Sequence, residues 1–180
     1  MRVGLFGRRG RTEHEALSAD QAEVTALDHG ADGPAALDTD DEAALRPRSS
    51  PITDTERARI AAGLAALAAE GVDVDDPASL GAGYDTAYTA WSAGREGSRP
   101  DHAAVVERYA IGVGEHLRRH TDLDWAVVTD VFGTDLGVAG GIGGSFVVVP
   151  ANLVAARWMR GETGWLPGVV GHLVRRRSRR

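Results

Sequence analysis

The 180-residue chain carries 26 acidic and 20 basic side chains for a net charge of −6, and it has neither cysteine nor lysine, so arginine supplies every basic residue except histidine. Those absences exclude a thiolate nucleophile, a disulfide, a thiolate metal site, a lysine Schiff base and the lysine-bearing phosphate loop. The length suits one domain with a tail to spare, and no apolar run forms a signal peptide or approaches the ~20 residues of a membrane-spanning helix, so the expectation is a cytoplasmic protein.

Residues 1–50 are rich in alanine, aspartate, glycine and glutamate and lack sustained periodicity. Arg2, Arg8, Arg9 and Arg11 open the chain, then ten acidic residues from Glu13 to Glu42 follow without an arginine until Arg46. Such a composition buries too little apolar area to offset ordering entropy, which predicts a disordered acidic segment over residues 1–50. Residues 51–174 are expected to form a single domain, and 175–180 a basic tail.

Order is predicted to begin at Thr53. Thr53-Asp54-Thr55-Glu56 is a capping box, Ile60, Leu64 and Leu67 recur at helical spacing, and Gly71 closes the helix. Asp76-Pro77 starts a second helix, with Leu80, Tyr84, Tyr88 and Trp91 as its stripe. A third, begun by Ser98 through Asp101, turns Val106, Tyr109, Val113 and Leu117 inward and Glu115, Arg118 and Arg119 away. Gly112 and Gly114 inside it each cost about 1 kcal/mol against alanine, which predicts that another backbone approaches there.

The period then changes. Trp125, Val127 and Thr129 alternate with Ala126, Val128 and Asp130, as a strand requires. Phe132-Gly133-Thr134-Asp135 reads as a turn, Leu136 to Ala139 as a second strand, Gly140 to Gly144 as a reversal and Phe146 to Val149 as a third strand stopped by Pro150. Leu153 to Arg160 and Trp165 to Val174 complete the chain as helices, the last with Leu166, Val169, Val170 and Leu173 inward. The fold class is therefore α+β, a small three-stranded antiparallel meander packed by helices on one face.

Few side chains converge on chemistry. The run Gly137 to Gly144 lacks the dinucleotide spacing and leads into a strand, so it reads as a flexible hairpin. His116 and His120 share a helix face, yet no third ligand accompanies them, and neither a metal nor a cofactor is expected. Glu115, Asp130 and Asp135, with His102 or His172, are the residues a carboxylate–histidine hydrolase would use. Arg157, within an otherwise apolar helix, needs an anion, and Asp130 and Asp135 are its expected partners in a structural ion pair. Arg175, Arg176, Arg177, Arg179 and Arg180 could neutralise phosphates, without aromatic platforms for base stacking.

The stretch from about Tyr109 to Leu173 resembles an uncharacterised bacterial family known only as a domain of unknown function, number 3806. The resemblance lies in Gly114-Glu115, Trp125 through Asp130, Gly133-Thr134-Asp135, Phe146 through Pro150, and Arg157 with Gly161-Glu162. It implies a small α+β domain and brings no catalytic residues. The functional expectation is a binding or regulatory domain without catalysis, its partner an unidentified protein. The alternatives are a polyanion-associated protein, with nucleic acid as partner through the arginine tail, and the hydrolase.

Overall fold

Helix α1 (Asp54–Ala69) starts where the capping box places it. Thr53 N–H donates to the Glu56 carboxylate at 2.8 Å, and the Thr53 hydroxyl accepts from Thr55 N–H at 3.3 Å. Helix α2 (Pro77–Ser92) is capped by Asp76, whose carboxylate accepts from Ala78 N–H at 2.9 Å, with Pro77 in the first turn. The computed structural model describes residues 47–178 apart from 96, 100, 132, 142 and 143, and these belong to one compact unit. Helix α3 (Ala103–His120) begins slightly later than its signals suggest, with the Asp101 carboxylate accepting from Ala103 N–H at 2.9 Å.

Among the described residues the sheet has four strands in the order β1 (Arg48–Pro51), β2 (Asp124–Asp130), β3 (Gly133–Gly140) and β4 (Phe146–Val148), all antiparallel. The expected meander is its β2–β3–β4 part. The three-strand count is corrected by β1, which pairs Ser49 with Val128 and Pro51 with Ala126. Its four residues are exposed and show no apolar alternation, and Pro51 suits only an edge position, so pairing with β2 creates the strand. Arg48 to Ser50 thus leave the segment expected to be disordered, of which residues 1–46 lie outside the described residues. Gly133 to Asp135, read as turn, already belong to β3.

Pro150 ends β4 and opens helix α4 (Pro150–Arg160), because its ring fixes a helical φ and removes a donor the ladder would need. Gly161, at φ 69°, closes α4, and helix α5 (Leu166–Arg177) follows. The last helix therefore runs three residues past Val174, through Arg175, Arg176 and Arg177. Among the described residues, no helix is long and apolar enough to cross a membrane.

The main core joins α2, α3, α4 and α5 through Leu80, Tyr84, Tyr109, Val113, Leu117, Trp158, Leu166 and Val170. Tyr84 sits at its centre, edge-on to Tyr109, Trp158 and Trp165 at centroid distances of 5.8, 5.7 and 5.6 Å. Each such aromatic pair adds about 0.5–1.5 kcal/mol beyond area burial. A smaller cluster of Ile60, Ile111 and Leu136 ties α1 and α3 to β3.

The two helical glycines of α3 do admit close neighbours, but these are side chains and not a backbone. A Cβ on Gly112 would fall 2.7 Å from Leu80 and 2.8 Å from Leu67, and one on Gly114 would overlap the Trp125 ring.

Candidate functional site

Helix α3 carries two different environments along its length. At its C-terminal half Glu115 is buried, contrary to the expectation that it faces solvent. The Trp125 ring, admitted by Gly114, covers it, and Trp125 Nε1–H donates to its carboxylate at 3.0 Å. Arg118 makes two hydrogen bonds to the same carboxylate at 2.9 and 2.8 Å, Arg119 one at 2.8 Å, and Arg119 reaches Asp75 at 2.7 Å. Burial pushes the Glu115 carboxyl up, but the bonds from Arg118, Trp125 and Arg119 outweigh it and hold the pKa down at about 2.

The two histidines of α3 adjoin this network. His116 Nδ1 lies 2.8 Å from the Val74 carbonyl oxygen, and His120 Nε2 lies 3.3 Å from the Asp75 carboxylate. Burial depresses the His116 pKa, against the opposing pull of its bond to the Val74 carbonyl. Among the described residues no three histidine or carboxylate side chains converge to hold a metal ion. Asp130 closes β2 at the far end from Asp124, about 20 Å along the strand.

At its N-terminal half α3 borders a cleft of about 330 Å3. Val106, Ala110, Ile111, Trp125 and Leu136 form its apolar floor, while Ala103 of α3 and Pro150, Ala151 and Ala155 of α4 wall it. Arg59, His102, Glu107 and Asp135 bring polar groups to its rim. Arg59 holds both rim carboxylates, Glu107 at 2.9 Å and Asp135 at 3.7 Å, with all three side chains 42–46% exposed. His102 lies 3.9 Å from the Asp101 carboxylate and stacks on Trp158.

The cleft thus gathers Asp135 and His102, both visible as candidates in the sequence, with Arg59 and Glu107, which were not. Arg59 and Glu107 meet across 48 residues of chain. Neither stands in a motif, and no spacing rule would have paired them. Asp130 borders a smaller hollow of about 110 Å3 together with Asp135, Thr134, Val149 and Asn152.

Arg157 is buried, as its apolar helix suggests. Its Nε lies 3.8 Å from the Glu162 carboxylate, its guanidinium packs 4.6 Å from the Trp165 ring centroid, and Nη1 donates to the Leu153 carbonyl at 3.4 Å. Of the C-terminal arginines, Arg177 is drawn into the fold. It donates through Nε to Asp122 at 2.8 Å, forms a second bond to the same carboxylate and covers the Phe146 ring at 5.0 Å, with its side chain 8% exposed. Arg175 and Arg176 are exposed on the last turn of α5, and Arg179 and Arg180 lie outside the described residues.

No curated protein and no solved structure matches the chain. A family model does, from the end of α2 to the start of α5, a span that starts and stops earlier than the resemblance from Tyr109 to Leu173. It takes in every residue lining the larger cleft except Arg59, and the whole Glu115 network except Asp75. Residues 89–167 match the family described as Domain of unknown function (DUF3806).

Proposed function

We propose that the chain is a cytoplasmic binding domain without catalysis of its own, and that the cleft between α1, α3, β3 and α4 receives its ligand. The observation that carries this reading is the cleft's composition, an apolar floor with every charge at the mouth. Its volume falls at the lower end of the ~300–1,000 Å3 typical of ligand pockets. The rim speaks against general acid–base work, since Arg59 engages Glu107 and Asp135 together and the carboxylate beside His102 is its own neighbour Asp101. On the last turn of α5, the exposed Arg175 and Arg176 would add a salt-sensitive contact to a polyanionic partner.

Ala103 is exposed on the first turn of α3 and lines the cleft, so Ala103→Phe narrows the mouth without touching the core. A panel of small amphipathic molecules and short peptides, read by thermal shift on the full chain, should contain compounds that stabilise the wild type and lose their effect on Ala103→Phe. Compounds that stabilise both proteins equally, or a panel without a hit, would remove the support for the cleft.

A further inference from the structure

We infer that the occupant of this cleft is an extended peptide that adds to β3 as a strand at Leu136, an inference that rests on the cleft being the binding site. Its origin is the single residue Pro150. Among the described residues β4 pairs with β3 only through Val138↔Val148, Ala139↔Val147 and Gly140↔Phe146. Continuing that register would set Leu136 opposite Pro150, which has no N–H and already belongs to α4. The ladder stops there, and the chain turns away into the helix. Leu136 and Pro150 both line the cleft.

The backbone of Leu136 shows the consequence. Its N–H donates to the carboxylate of Asp135 at 2.7 Å, where the ladder would have supplied a carbonyl. Asp124 treats Trp125 N–H the same way at 2.9 Å, just beyond the last pair of β1. Self-capping by a preceding aspartate is thus how this sheet blunts its open edges. At Leu136 the cap has a second place to go, because the same Asp135 oxygen lies 3.7 Å from Arg59 Nη2. A peptide carbonyl that accepts the Leu136 N–H displaces the carboxylate toward Arg59, and neither group loses a partner. Alternate side chains of the added strand then point to one side, where Val106, Ala110 and Ile111 form the apolar floor. The occupant is accordingly a short extended segment with an apolar residue at the bonded position.

The test uses the full chain and a displayed library of random heptapeptides, with selected sequences synthesised and titrated by calorimetry. Peptides weakened by Ala103→Phe are then N-methylated one amide at a time. Strand addition predicts that one or two alternate positions lose about tenfold or more in affinity while the rest tolerate methylation. It also predicts that Asp135→Ala, which removes the competing acceptor, binds the same peptides about twofold to tenfold more tightly, the worth of one net hydrogen bond. Asp135 is partly exposed, and a thermal melt verifies that the variant folds; the methylation series on the wild type stands without it. Peptides lost on Ala103→Phe but indifferent to methylation and to Asp135→Ala would overturn strand addition and leave the cleft as the binding site. A library without any peptide weakened by Ala103→Phe would overturn the inference, while small-molecule hits from the thermal-shift panel would still uphold the cleft.

Discussion

The two halves of α3 meet charge in opposite ways. Toward its C-terminus Glu115 is taken out of water and satisfied by two arginines and an indole N–H. Toward its N-terminus Glu107 stays 46% exposed and shares Arg59 with Asp135 around an open cleft. A buried carboxylate survives only when all its partners are in place, whereas a rim carboxylate keeps water as an alternative. The first arrangement therefore holds the fold, and the second is free to exchange partners.

The largest effect should come from breaking the buried side. Glu115→Ala leaves Arg118, Arg119 and the part-buried Trp125 N–H without their shared acceptor, and urea unfolding at pH 7 should show a loss of about 1.5–3 kcal/mol. The same network sets an acid limit. Folding lowers the Glu115 pKa from 4.5 to about 2, so its contribution, on the order of 3 kcal/mol, is complete above about pH 4.5 and is lost as pH falls toward 2. Glu115→Ala should flatten the fall in stability across that window. A variant with the wild-type acid profile would show that other carboxylates govern it.

A smaller effect should follow from closing the space that lets Trp125 reach Glu115. Gly114→Ala gains about 1 kcal/mol of helix propensity, but its Cβ overlaps the indole, and overpacking typically costs about 1–3 kcal/mol. The net result should be destabilisation, with changed tryptophan emission as the ring shifts. Stabilisation by the alanine would show that the ring has room to move.

The smallest effect belongs to the rim. Glu107→Ala removes an exposed ion pair with Arg59 and should alter stability by no more than about 1 kcal/mol, an effect that high salt should shrink further. A loss comparable to that of Glu115→Ala would erase the contrast between the two halves.

What could be read beforehand follows the range of the interactions. The capping box at Thr53, the Asp76-Pro77 start, the stripe from Leu80 to Trp91 and the β2–β3–β4 meander all follow from contacts within a few residues, where periodicity and capping chemistry operate. The strand β1 was invisible because Arg-Ser-Ser-Pro has no pattern of its own and becomes a strand only against β2. Helical spacing marks Glu115 as outward-facing, but Trp125, ten residues on, bonds its carboxylate together with Arg118 and Arg119.

The candidate site was legible in part. Asp135 and His102 stood out as titratable residues, but the cleft that gathers them depends on Arg59 of α1 and Pro150 of α4 meeting the face of α3. By itself the sequence determined the five helices and the strands of the β2–β3–β4 meander, and through its missing cysteine and lysine which chemistries are closed to it. Tertiary structure alone decided which charges are buried, which strand edge stays open and where a cleft forms. Each of those depends on side chains ten or more residues apart in the chain, beyond the reach of local propensity.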